Sequence, residues 1–184
     1  HAEGLIALSG CRKGEVAALV EKREQRKALE VASRYRDVFD PGCYLIELQD
    51  NLVYKDQERN EGLVALARDL GLDVVATNNV HYALQSQHRL HDVLTAVRHH
   101  TNLEEARPYL RANAEFYLKS PAHMERLFAD LPEAIENTAR IAERCRSFDL
   151  TRGLSYEFPD YDSKDGRTAD QFLHDKCYEL ARDH

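Results

Sequence analysis

The chain is short of several features, and each shortage removes a class of protein. No apolar run approaches the roughly 18 residues that a membrane-spanning helix needs. Its cysteines, Cys11, Cys43, Cys145 and Cys177, are scattered and form no C-x-x-C pair, which argues against a disulfide framework or a zinc knuckle and fits a reducing cytoplasm. Positive charge is in deficit: 25 Lys and Arg stand against 32 Asp and Glu, a net charge of −7. Broad phosphate attraction, which needs clustered cations, is therefore not expected to grip nucleic acid. The basic stretch Lys22-Arg23-Glu24-Gln25-Arg26-Lys27 is interrupted by acid and falls within a helical pattern, so a solvated helix face is expected there.

Signature motifs are missing as well. There is no G-x-x-x-x-G-K-[ST], G-x-G-x-x-G, G-x-S-x-G or H-E-x-x-H, and no closely spaced aspartate pair of the kind that holds two magnesium ions for phosphoryl transfer. The opening "HAEGLIALSG" carries no basic segment ahead of an apolar one, so a signal peptide is not expected. Without an initiator Met, it reads like the start of a piece of something longer.

What is present is an ordinary globular composition: 184 residues, 43% hydrophobic and 31% charged. "GLIALSG" (Gly4 to Gly10) is a short strand candidate closed by Ser-Gly. "GEVAALV" opens a helix whose apolar face continues through Leu29, Ala32, Tyr35 and Phe39 to the break at Asp40-Pro41-Gly42. "CYLIELQ" (Cys43 to Gln49) reads as a second strand. A helix from Asp56 follows, with Leu63, Leu66, Ala67 and Leu70 on one face and Gly71 as its stop. "DVVAT" is a third strand, and Leu90, Val93, Leu94 and Val97 mark a further amphipathic helix. Strands and helices in strict alternation, with near-continuous apolar strands, predict an α/β fold with a parallel sheet covered by helices.

Beyond about residue 100 the pattern turns all-helical. Thr101 to Glu104 has the form of a capping box, Ser120-Pro121 that of a cap before a first-turn proline, and Asp130-Leu131-Pro132 something similar. Ile135, Thr138, Ala142 and Cys145 share one face of the next helix. "TRGLSYEFPDYDSKDG" is a turn-rich connection in which Asp160 and Asp162 read as parts of a solvated loop, and Thr168 to Gln171 caps a last helix.

Side chains repeat every two residues in a strand, so Asn79 and His81 point the same way just past the third strand. Cys11 lies at the corresponding end of the first. That edge of a parallel sheet is where sites are built, and thiolate, imidazole and amide oxygen from different strands can converge there on a metal. On pattern alone, a capped strand end with a hydrogen-bonded histidine outweighs a ligand site. Cys43, Cys145 and Cys177 are expected to behave as small core residues. His88 and His91 are expected at the surface or rim, His99 and His100 at a helix end, and His123, His174 and His184 without partners. Glu47 is expected to accept hydrogen bonds from a neighbouring loop, with a rim carboxylate as the alternative.

Taken together, "GLIALSGCRKGEV", "YLIELQ", "RNEGLVALARDLGL", "VVATNNVHY", "DVLTAVR" and "LFADLPEAIENTARIAERC" resemble, in this order, the bacterial C-family DNA polymerases, the DNA polymerase III α-subunit family. The Cys-Arg-Lys-Gly-Glu and Asn-Asn-Val-His forms and "YEFPDY" resemble most closely the error-prone α-subunit paralogue. The resemblance implies a partial PHP-type (β/α)7 barrel followed by a helical segment. Residues 1–100 would be the C-terminal part of the PHP (polymerase and histidinol phosphatase) barrel, 101–150 its closing helices, and 151–184 a linker and first helix toward the polymerase palm and thumb. It further implies a cytoplasmic enzyme of DNA replication and damage-induced mutagenesis. Its partners would be DNA and the rest of the polymerase chain, and Mg would be bound by the polymerase outside this segment. Cys11 matches a PHP ligand cysteine, and Asn79 and His81 match the final Asp-x-His pair, with Asn79 where the family has Asp. The implied divalent metal (Zn, Mn or Mg) is then expected to bind weakly or not at all, because neutral amide oxygen is a poorer ligand than carboxylate. Two alternatives stand beside this scaffold reading: a PHP domain keeping metal-dependent 3′–5′ exonuclease or phosphoesterase activity, and a stand-alone binding module. A cut barrel is also expected to self-associate through open strand edges.

Overall fold

The computed structural model describes residues 2–149, 151, 161 and 165–182. They fall into two compact units, His1–Cys145 and Arg146–His184. The elements of the first are β1 (Ala7–Leu8), α1 (Glu15–Glu21), α2 (Gln25–Val38), β2 (Tyr44–Gln49), α3 (Asp56–Leu70), β3 (Val74–Thr77), α4 (His88–Arg98), α5 (Pro121–Leu127) and α6 (Pro132–Arg144). The second contains α7 (Ala169–Arg182).

The sheet is parallel, three-stranded and ordered β1-β2-β3, with Ala7 beside Tyr44 and Ile46 beside Val74. The mixed α/β fold with helix-covered parallel strands is therefore present, whereas a closed barrel is not formed by the described residues. Period-two alternation gives β2 two different faces. Tyr44, Ile46 and Leu48 enter one core with Val16, Ala17, Leu63, Leu66, Val74 and Ala76. Full burial of each large aliphatic side chain there contributes about 1.5–3 kcal/mol. On the opposite face Glu47 accepts hydrogen bonds from Gln49 Nε2 at 2.8 Å and from the Thr77 hydroxyl, so its partners are strand residues and not a loop.

Three helix ends close in the same way. At α3, Leu72 N–H bonds to Ala67 O and Gly71 N–H to Arg68 O, with Gly71 at φ 63°. This is a Schellman motif, whose left-handed residue is usually glycine. The same bonds end α1 at Arg23 (φ 60°) and α4 at His100 (φ 51°). The single helix expected from Gly14 to Phe39 is thus two, α1 and α2, because a left-handed arginine interrupts it. The basic stretch Lys22–Lys27 spans that break and the start of α2; it is not one helix face.

The all-helical expectation beyond residue 100 also needs correction. Asn102, and not Thr101, accepts the backbone N–H groups of Glu104 and Glu105, and a turn follows in place of a helix. Residues 113–119 run beside the end of β3: Tyr82 and Tyr117 form a parallel bridge, and His81 N–H donates to Phe116 O at 2.8 Å. Ser120 does cap α5, accepting from His123 N–H, but the N-cap of α6 is Leu131, which makes no side-chain cap, and not Asp130. On α6 it is Ala134 and Asn137 that are buried, while Cys145 is exposed, as is Cys177 on α7, so of the three cysteines expected inside only Cys43 is buried. Asn137 Nδ2 donates to Val74 O at 2.8 Å, so α6 covers the outer edge of β3. That removes the basis for strand-edge self-association there.

The apolar face of α4 is not core: Leu90, Val93, Leu94 and Val97 are exposed and Ala96 is the buried residue. In the second unit, Thr168 and Gln171 exchange reciprocal side chain to backbone bonds at 3.2 and 3.1 Å, the expected capping box. His174 meets Asp175 and Tyr178, so it does have neighbours. Asp160, Asp162 and His184 lie outside the described residues, as does most of the turn-rich connection.

Candidate functional site

The loops following β1, β2 and β3 all open on one cleft of about 910 Å³, at the C-terminal ends of the strands. The first loop is shaped by glycine. Gly14 N–H bonds back to Cys11 O at 2.6 Å, and a Cβ at Gly14 would lie 2.8 Å from Ser9 O. The tight turn puts Cys11, half-buried, on the cleft wall.

The second loop is held by the start of α3. Asp56 accepts from Asn51 N–H at 2.9 Å and Val53 N–H at 3.1 Å, and pairs with Arg59 at 2.8 Å. Arg59 and Asn60 both donate to Gln49 O, the last carbonyl of β2. The third loop splits its asparagines by alternation. Asn78 turns into a scaffold: its Nδ2 donates to Tyr117 O at 2.6 Å and its Oδ1 accepts from Asn51 at 3.2 Å. Asn113 completes this network by donating to Asn51 O at 2.8 Å. Asn79 turns into the cleft with His81.

Cys11, Asn79 and His81 therefore line one cleft, as strand geometry predicted. Yet Asn79 and His81 are turned on each other, with His81 Nε2 3.1 Å from Asn79 Oδ1. Arg111 Nη2 lies 3.4 Å from His81 Nδ1. Because a guanidinium only donates, Nδ1 must accept, and the proton sits on Nε2 facing Asn79. Burial, then the Arg111 charge and then His91, lower the His81 pKa below its ordinary value, favouring this neutral ring.

The charge around the cleft is the reverse of what a divalent cation needs. Arg12, Lys13, Lys22, Lys55, Arg59 and Arg111 face Glu21 and Asp56. Both carboxylates are already committed: Glu21 is held by Arg12 through two oxygens, one at 2.9 Å from Nε, and Asp56 by Arg59. Arg12 holds the Glu21 carboxyl below its usual range, chiefly by hydrogen bonding. Among the described residues no group of three or more His, Cys, Asp or Glu side chains is gathered to hold a metal. Among the described residues lining the cleft, a divalent cation would therefore find no uncommitted carboxylate.

Sequence reasoning missed His91, whose ring edge meets His81 at 5.5 Å between centroids and whose buried Nδ1 has no hydrogen-bond partner among the described residues. It also missed His123, bonded to the Tyr117 hydroxyl at 3.0 Å. The i,i+3 spacing of Asp56 and Arg59 at a helix start was readable. Arg111, thirty residues beyond His81, offered no signal.

A protein-family model described as the PHP domain matches residues 1–51, from β1 through the end of β2. The chain is 38% identical over 180 residues to a protein named error-prone DNA polymerase from Symbiobacterium thermophilum, covering 97% of this chain and 16% of that protein. It is 35% identical over 178 residues to the DNA polymerase III subunit alpha of Pseudomonas aeruginosa, covering 97% and 15%. With the corresponding subunit of Treponema pallidum it shares 39% over 145 residues, covering 79% and 12%. The chain belongs to the C-family DNA polymerases, the DNA polymerase III α-subunit family, and its matches span 12% to 16% of the length of these relatives. No helix among the described residues is long and apolar enough to cross a membrane.

Proposed function

We propose that this segment is the PHP-region scaffold of an error-prone-type DNA-directed DNA polymerase, with a degenerate metal site and no polymerase active site of its own. The whole protein would be a cytoplasmic nucleotidyltransferase of DNA replication and damage-induced mutagenesis, with DNA and the rest of its chain as partners. Residues 1–100 would be the C-terminal part of the PHP region, 101–150 its closing helices and 151–184 the approach to the polymerase core. The likeness to polymerases along nearly the whole chain supports the family role.

One observation carries the degenerate reading: Asn79, where the family has Asp, spends its amide oxygen on His81 in a cleft with excess positive charge. The polymerase that contains this segment, purified intact, tests it by bound-metal analysis and 3′ excision, with Asn79 and with Asn79→Asp. The expected result is sub-stoichiometric metal and no excision in the unmodified enzyme, with metal uptake rising in the variant. Stoichiometric metal with excision in the unmodified enzyme would establish the exonuclease alternative instead.

A further inference from the structure

We propose that the groove between α3 and the connection from α5 to α6 binds an aliphatic polyamine, a flexible methylene chain carrying several ammonium groups. The groove encloses about 480 Å³ and follows α3 from Gln57 to Arg68, about 16 Å along the helix axis. Two independent observations meet in it. The first is Asn60, which lines the groove and is only 7% exposed. Its Nδ2 donates to Gln49 O at 3.2 Å, while its buried Oδ1 has no hydrogen-bond partner among the described residues. A buried acceptor left unmade costs free energy that a donor recovers, so this end of the groove is short of an N–H or O–H group.

The second observation is charge. Asp50, Glu61 and Asp130 line the groove against Arg68, and none of the four has an ion-pair partner among the described residues. Asp50 is only 8% exposed and directly follows Gln49, so it stands at the same end as Asn60. Its Oδ1 accepts Leu52 N–H at 2.8 Å, which leaves the buried negative charge uncompensated. A carboxylate without a cation, beside an acceptor without a donor, calls for one group that supplies both. An ammonium does, with positive charge and three N–H donors. A divalent metal suits the groove less, because no three His, Cys, Asp or Glu side chains are gathered among the described residues. Val64, Leu127, Phe128 and Leu131 make the rest of the wall apolar, a surface for methylene groups. The carboxylates come from three places, after β2, on α3 and before α6. Several ammonium groups on one chain meet that spread better than the single one of a lysine side chain.

Titration calorimetry on the intact polymerase that contains this segment, free of DNA, tests this with spermidine, butane-1,4-diamine, ammonium chloride and N-acetyl-lysine methylamide. Expected is spermidine binding that falls with salt, with the diamine weaker and ammonium weaker still. The double variant Glu61→Gln/Asp130→Asn, at exposed positions, should weaken spermidine binding about tenfold, two partly solvated contacts of roughly threefold each. Asp50→Asn keeps an acceptor for Leu52 N–H but removes the buried charge, and should weaken binding at least as much. Asp69→Asn, exposed on α3 and outside the groove, should leave it unchanged. The Glu61/Asp130 variant decides the matter if Asp50→Asn does not fold. Spermidine binding that ignores the double variant, or that Asp69→Asn weakens equally, overturns the proposal, and so does the absence of any amine binding. Lysine methylamide bound as tightly as spermidine overturns it too, and assigns the groove to a protein side chain.

Discussion

Asp56 and Arg59 form a buried pair whose members are about equally hidden, 6% and 3% exposed at the side chain. Changing Asp56 to Asn keeps a carbonyl oxygen for Asn51 and Val53 N–H but removes the negative charge opposite Arg59. A buried cation left without its partner costs about 3–5 kcal/mol. For a domain of this size each kcal/mol lowers the melting temperature by about 2–4 °C, so Asp56→Asn is expected to lower it by roughly 6–20 °C. The companion change Arg59→Met removes the stranded charge. The double variant Asp56→Asn/Arg59→Met should therefore be more stable than Asp56→Asn alone, although it also loses the bond to Gln49 O. Urea unfolding of the four proteins of this cycle measures the coupling. A loss below about 1 kcal/mol in Asp56→Asn, or strict additivity in the double variant, would refute the argument that this pair anchors the loop after β2.

Three further outcomes are expected. Arg111→Gln should raise the His81 pKa, read by NMR titration, because the Arg111 charge is one of the causes holding it down. Since the folded value lies below 6.5, His81 contributes stability that is fully present above that pH and is lost as pH falls toward the folded value; the variant should narrow that loss. Tyr44 has a buried hydroxyl with no hydrogen-bond partner among the described residues, and burial, then Tyr35 and Glu15, push its pKa up to about 12. Tyr44→Phe should accordingly stabilise the protein by about 1 kcal/mol in chemical denaturation, and a loss of stability would reveal a hidden partner. In Gly14→Ala the new Cβ would meet backbone oxygens of Ser9 and Cys11 at 2.8 and 2.9 Å, so about 1–3 kcal/mol should be lost. The rate of Cys11 alkylation should change with it, and an unchanged rate and stability would show the turn to be slack.

Local periodicity by itself determined the three strands and the end of α3, because each depends on neighbours along the chain, and the helices between successive strands then implied a parallel sheet. Tyr44–Gln49 and Val74–Thr77 alternate or run apolar as buried strands must, and Gly71 marks a left-handed cap that glycine enters without strain. Arg23 and His100 adopt the same left-handed cap with no glycine to announce it, which is why α1 and α2 read as one helix. The sequence also placed Cys11, Asn79 and His81 at one sheet edge, since strand direction and period two suffice for that. Only the tertiary structure decided what that edge is. The pairing of Glu21 with Arg12 and the contact of Arg111 with His81 depend on segments distant along the chain, and the turn of Asn79 onto His81 rather than outward is a side-chain orientation that spacing leaves open. A chain that is acidic overall thereby carries a cleft with surplus positive charge, because Arg12 and Arg59 neutralise the cleft's two carboxylates and leave Lys13, Lys22, Lys55 and Arg111 without an ion-pair partner among the described residues. Net charge is a sum over residues; the sign of a cleft depends on which of them the fold brings together.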